Sequence, residues 1–231
     1  MVLHTNTLKN NLISGTLLLT LTGFLSRIIG FYYKIFLSRT IGAEGLGIYQ
    51  LIFPVFALII AVSAAGIQTS ISRYCAQCQT EQQSKRYLVT GLVLSLLISG
   101  ICIVIVQTYA PWIGSVLLED ARTISLLRLM TFSLPFACIH SCINGYYFGK
   151  KKAVIPSVSQ LLEQLIRVTG VFLLIQILTE QGNLPSPKIA VLGILFGEIT
   201  GALYSITMLL FSREKNPAQD SRALSPEVLS Y

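Results

Sequence analysis

Charge is what this chain has least of. Only 12% of its 231 residues are Asp, Glu, Lys or Arg, about half the share usual in a soluble domain. The mean hydropathy is +0.68, and the apolar residues come in long blocks, which excludes a soluble globular class. Acidic residues are scarcer than basic ones, 10 against 17, for a net charge of +7. That balance does not point to nucleic acid, because Lys and Arg sit mostly between the apolar blocks, where membrane topology places them. Catalytic signatures are absent too: there is no phosphate-binding glycine loop, no H-E-x-x-H, no G-x-S-x-G and no dinucleotide fingerprint. An enzyme is therefore not expected, and neither is a cofactor.

Metal-ligating patterns are equally thin. Cys75-Ala-Gln-Cys78 is a lone C-x-x-C with no second pair and no spaced histidine. Cys138-Ile-His140-Ser-Cys142 looks like a ligand cluster, but on a helix His140 points away from both cysteines, and it reads as packing. Cys102 reads as a small hydrophobe in an apolar helix. The N-terminal apolar run, Leu12 to Leu25, follows Lys9 and continues past Arg27 with no small-x-small cleavage site, so it reads as an uncleaved first helix.

What is present is an all-α, polytopic membrane protein. Six transmembrane helices are expected, at 12–36, 46–71, 87–109, 123–148, 154–178 and 189–211. Together they make a lobe spanning 1–211, followed by a polar, disordered, cytoplasmic tail at 212–231. Gly42 to Gly47 reads as a glycine-rich turn, and Pro111 to Asp120 as a loop whose Trp112 anchors at the interface. Pro54 and Pro135 fall inside spans and predict kinks. With both termini cytoplasmic, the inner segments hold Lys9, Arg73, Lys85, Arg86, Lys150, Lys151, Lys152, Arg213, Lys215 and Arg222. The outer segments hold only Arg39, Arg122, Arg128 and Lys188, which fixes the orientation by the positive-inside rule.

Five ionisable residues fall within spans: Arg27, Lys34, Glu163, Arg167 and Glu198. Lys34 follows Arg27 by seven residues and lies on nearly the same helix face. A cation facing lipid at that depth costs roughly 2.5–3.5 kcal/mol on insertion scales, so a protein or water-filled interior is implied. Arg27, Glu163, Arg167 and Glu198 each lie mid-helix and share a depth near the bilayer midplane, where transporters place their sites. One reading is a polar, slightly cationic cavity suited to an anionic headgroup. The other is charge neutralisation, with Glu163 and Arg167 pairing four residues apart and Glu198 pairing with Arg27. Gly193, Gly197 and Gly201 form a G-x-x-x-G-x-x-x-G stripe that reads as helix packing.

Ser26-Arg27-Ile-Ile-Gly30-Phe, with Arg39-Thr-Ile-Gly42-Ala-Glu44-Gly45-Leu-Gly47-Ile-Tyr49-Gln50, resembles the first helix and turn of the stage V sporulation protein B family. Ala64 to Ser72, Asn144 to Gly149, and Pro156 to Val168 resemble the end of its second helix, its fourth helix and its fifth. That family belongs to the polysaccharide-exporter branch of the multidrug/oligosaccharidyl-lipid/polysaccharide superfamily. The resemblance implies one lobe of a multidrug-and-toxin-extrusion-like transporter, a flippase that moves an anionic lipid-linked saccharide across the bacterial plasma membrane by alternating access. It links such proteins to peptidoglycan of the spore cortex and cell wall. By it, Arg27 matches a cavity arginine of the related lipid II flippases. Their second cavity arginine corresponds to Tyr33 here, with Lys34 adjacent, and the second span has no arginine.

Family members have two six-helix lobes, and this chain supplies one. A second lobe from a separate chain, a homodimer through the glycine stripe or the cavity face, and an inactive fragment are the three expectations. The rival functions are a cation-coupled multidrug exporter using Glu163 or Glu198, and a structural membrane subunit without transport.

Overall fold

A computed structural model describes residues 2–182 and 184–214, with side chains from Gly15 to Phe211. The expected tail at 212–231 lies outside the described residues beyond Glu214, so Lys215 and Arg222 play no part below. Every regular element among the described residues is helical: α1 (Val2–Leu51), α2 (Phe53–Ile60), α3 (Gly66–Gln77), α4 (Glu81–Trp112), α5 (Thr123–Thr131), α6 (Leu134–Gly149), α7 (Val154–Glu180) and α8 (Pro187–Glu214). Single π-helical turns at Ala61–Ala65 and Ile113–Leu117 join α2 to α3 and extend α4.

Four helical stretches are long and apolar enough to cross a membrane: Gly15–Gln77, Glu81–Leu117, Val154–Glu180 and Pro187–Phe211. A fifth is the pair α5 and α6, bent by 46°. The first stretch, of 63 residues, would be roughly 95 Å long at 1.5 Å per residue, about three bilayer cores. It is divided at Gly42, whose φ of 78° and ψ of 165° leave the helix. That backbone region is open essentially to glycine alone. Divided there, the described residues hold six helical segments, counting the bent pair as one, and the chain is a multi-pass, all-α membrane protein. The expected turn from Gly42 to Gly47 thus contracts to one residue, because helix resumes at Ala43.

Proline acts where the sequence places it. Pro54 occupies the first turn of α2, just past the break at Ile52. Pro135 occupies the first turn of α6, after the bend at Phe132 and Ser133. In both places its missing N–H leaves no orphan. Pro111 differs from expectation: it lies inside α4 rather than opening a loop, and the helix continues through the π turn to Leu117. Within this continuation the Ser115 hydroxyl donates to the Pro111 carbonyl at 2.6 Å, the back-bond a serine makes to the carbonyl four residues earlier in a helix.

Helix α6 sits at the centre, with Ala137, Cys138, Cys142, Ile143, Tyr146 and Tyr147 buried. Gly145 and Gly149 let α3 come close: an added Cβ would stand 2.6 Å from the Gln68 carbonyl oxygen and 2.6 Å from that of Ser72. On another side, the π turn presents the Ser63 carbonyl, which accepts the Ser95 hydroxyl of α4 at 2.5 Å and the Cys138 thiol of α6 at 3.8 Å. All five cysteines are free. Much of the outer surface is apolar, with Phe24, Val62, Leu97, Val104 and Phe172 more than half exposed, as lipid contact requires.

Candidate functional site

Helices α7 and α8 pack along the glycine stripe, and this brings the intramembrane charges together. An added Cβ at Gly193 would strike the Val171 side chain, and one at Gly197 would stand 3.0 Å from the Glu163 carbonyl oxygen. One at Gly201 would stand 3.2 Å from the His140 ring. The stripe is therefore engaged within the chain by α7 and α6. It does not offer a free face for a homodimer, contrary to that expectation.

Glu163 and Arg167 form an ion pair one turn apart on α7. Glu198, on α8, does not pair with Arg27, as was expected. Its carboxylate oxygen lies 3.6 Å from His140 Nδ1, and a Glu163 oxygen lies 3.8 Å from the same nitrogen. The reason is packing: α6, α7 and α8 converge where His140 is 8% exposed and Glu198 8% exposed. On the far side of the ring, His140 Nε2 is 2.9 Å from the Ser159 hydroxyl, which reaches Ser205 at 3.3 Å and donates to the Gly201 carbonyl at 3.4 Å. His140 is thus the meeting point of a three-helix polar cluster rather than plain packing. Its ligand atoms and those of Glu163 and Glu198 lie within 4.8 Å of one another. The set does not suit a metal ion, because the Arg167 guanidinium already occupies Glu163 and would repel one.

Beside this cluster opens a cavity of about 370 Å³, lined by Ser26, Arg27, Gly30, Phe31, Tyr33, Lys34, Tyr49, Phe53, Gln164 and Arg167. Its volume falls in the range of small-molecule sites. Three cations line it and no carboxylate does. Among the described residues, neither Arg27 nor Lys34 is paired with an acid. Ser26 Oγ, Tyr33 Oη and Arg167 Nε are buried without hydrogen-bond partners, and all three belong to residues of this wall. Each of the three groups can donate. An orphaned buried donor costs roughly 1–3 kcal/mol, so the wall is better satisfied by an anion than by an apolar molecule. Aromatic rings of Phe31, Tyr33, Tyr49 and Phe53, with Gly30 and the Gln164 amide, complete the lining.

The structure places Arg27, Lys34 and Arg167 around one cavity, with Glu163 bound to Arg167 and Glu198 held apart beside His140. Sequence reasoning missed His140, Tyr33, Ser26, Gln164 and Ser159 as site residues. His140 had one available signal: it shares a depth with the charged residues, but its helix face could be judged only against its own neighbours.

A second charged group lies at a helix end. Arg122 bridges Glu44 at 2.6 Å and Asp120 at 2.8 Å, tying the segment after Gly42 to the start of α5. The Arg122 side chain and then its backbone N–H hold the Asp120 carboxyl below its ordinary range. Asp120 first, then Glu44, hold the Arg122 guanidinium above its own.

The chain is 30% identical over 199 residues to stage V sporulation protein B of Bacillus subtilis (strain 168), covering 85% of this chain and 38% of that protein. It is 26% identical over 178 residues to the lipid II flippase MurJ of the same organism, covering 72% of this chain and 32% of that one. Sporulation protein YkvU, also from that organism, is 23% identical over 176 residues, covering 72% of this chain and 37% of its own length. The chain thus spans between 32% and 38% of the length of these relatives. No solved structure matches significantly. The model for polysaccharide biosynthesis proteins matches residues 12–229, and the chain belongs to that family.

Proposed function

We propose that this chain is a lobe of a membrane flippase for anionic lipid-linked saccharides. The observation that carries the reading is the cavity between α1 and α7, with Arg27, Lys34 and Arg167 in its wall, no carboxylate, and three buried donors lacking partners. A diphosphate headgroup supplies several acceptor oxygens and negative charge, which matches those groups in kind. Similarity to stage V sporulation protein B and to the lipid II flippase supports a peptidoglycan precursor, and a sporulation role, as the biological setting. No covalent chemistry is required of the protein, since translocation needs only a site that faces each side of the membrane in turn.

The cavity is lined by one lobe only and is open along its side. A second lobe, from a separate chain or a second copy, would close it through the cavity face, since the glycine stripe is engaged. The plasma membrane, with both termini cytoplasmic, is the location this reading assigns.

The test is translocation in proteoliposomes of a fluorescent polyprenyl-diphosphate-linked disaccharide, with the chain co-reconstituted with a candidate second lobe. Arg27→Gln is expected to slow flipping at least tenfold. Flipping unchanged in Arg27→Gln would count against the reading and favour a non-transporting subunit.

A further inference from the structure

Two carboxylates, one arginine and one histidine lie together inside the bundle, and their charges do not balance while the histidine is neutral. Glu163 is matched by Arg167, which leaves Glu198 uncompensated at 8% exposure. An unpaired buried carboxylate is costly. One added proton removes the deficit, and the geometry says where it goes. Ser159 can donate to the Gly201 carbonyl and accept from His140 Nε2. The Nδ1 of that ring then faces both carboxylates, at 3.6 Å and 3.8 Å. Those gaps exceed a hydrogen bond but suit charge attraction between an imidazolium and two acids.

We propose that His140, Glu163 and Glu198 form one protonation site for a single proton, which binds more tightly when an anion in the neighbouring cavity draws Arg167 away from Glu163. The second half rests on the proposed anion cavity. Arg167 is the link, since it is bound to Glu163 and also lines the cavity with Arg27 and Lys34. Moving its charge toward an anion leaves two carboxylates facing one imidazole. By reciprocity, a protonated cluster frees Arg167 and tightens anion binding by the same factor.

The charged groups facing the imidazole are Glu163 and Glu198, with Arg167 acting through Glu163. The π turn and α4 meet α6 on another face, at Cys138 and Cys142, whose thiols donate to the Ser63 and Gly91 carbonyls. Helix α8 adds the Ser205 hydroxyl through Ser159.

The chain has two histidines, so ¹⁵N-histidine labelling in lipid nanodiscs, with His4→Gln for assignment, reads the His140 ring directly. The imidazole is expected to titrate. Its midpoint should move to lower pH in Glu198→Gln and to higher pH in Arg167→Gln, each by roughly 1–3 units, as charges at this range do. Glu163→Gln repeats the downward shift should Glu198→Gln not fold. A ring neutral throughout, or midpoints that do not move in opposite directions, would overturn the site. At the wild-type midpoint, inorganic pyrophosphate should raise the imidazolium fraction. Binding without that rise would overturn the linkage. Failure of pyrophosphate to bind would instead contradict the anion cavity, and the titration would still judge the proton site.

Discussion

Arg167 reaches back one helical turn to bind Glu163 while forming part of the cavity wall that holds Arg27 and Lys34. A half-buried guanidinium so placed can be ion-paired on one side and still offer donors on the other. Its Nε has no partner although buried, so Glu163 does not exhaust its donors. The account therefore separates the intramembrane charges into a cationic wall that receives an anion and an acidic cluster that keeps the bundle balanced.

The close approach of α3 and α6 gives a stability prediction. Gly145→Ala would place a Cβ 2.6 Å from the Gln68 carbonyl oxygen, a backbone atom that cannot swing aside. Overpacking of this kind costs about 1–3 kcal/mol. Thermal unfolding in detergent should fall by several degrees, on the order of 2–4 °C per kcal/mol at this size. Gly66→Ala, with nothing within 4 Å of its added Cβ, should leave the midpoint unchanged or raise it slightly. Equal losses for the two would contradict the packing described.

The Arg122 bridge predicts a pH and salt response at the α1–α5 junction. Asp120 titrates below its ordinary value because Arg122 donates to it. A depressed carboxyl contributes stability that is present above its unfolded pKa of about 3.9 and disappears as pH falls through the lower folded value. The protection of the segment after Gly42 against hydrogen exchange, taken relative to the intrinsic rate at each pH, should thus be steady from neutral pH to about 4 and fall below it. Because Arg122 and Glu44 are exposed, 1 M salt should produce part of the same loosening at neutral pH. Arg122→Ala should abolish both dependences. Persistence of either in that variant would place their origin elsewhere.

Orientation is a separate prediction. Lys150, Lys151 and Lys152 follow α6, and Lys188 lies at the opposite end of α7 in chain order. A single cysteine introduced at Lys151 in a cysteine-free background should be labelled by an impermeant maleimide only after the cell is opened. One introduced at Lys188 should be labelled in intact cells. The reverse pattern would invert the topology.

The all-α membrane class, the cations within apolar helices and the glycine stripe were legible in the sequence, because hydropathy, charge and i+4 spacing are properties of single helices. What joins different helices was not. Glu198 and Arg27 share a depth, yet α6 intervenes and gives Glu198 a histidine instead. Gly145 and Gly149 repeat the spacing read at Gly193 to Gly201, but the surrounding tyrosines and Phe148 hide them as a packing face. Pro111 looked like a helix end, and the π turn that follows it, with the Ser115 hydroxyl on the Pro111 carbonyl, carries no signal in the residue pattern. Arg27 and Lys34 were placed on one face by their spacing alone, and both line the same cavity.

The most direct measurement is equilibrium binding of a fluorescent polyprenyl diphosphate, and of the matching uncharged polyprenol, to the purified chain in nanodiscs. Wild type and the double variant Arg27→Gln, Lys34→Gln would be compared at fixed ionic strength. Each lost charge-assisted contact is worth roughly 1.5–3 kcal/mol, so the diphosphate should bind at least about a hundredfold more weakly to the double variant, with the polyprenol unaffected. Equal diphosphate affinity in the two proteins would contradict the cationic cavity as the headgroup site.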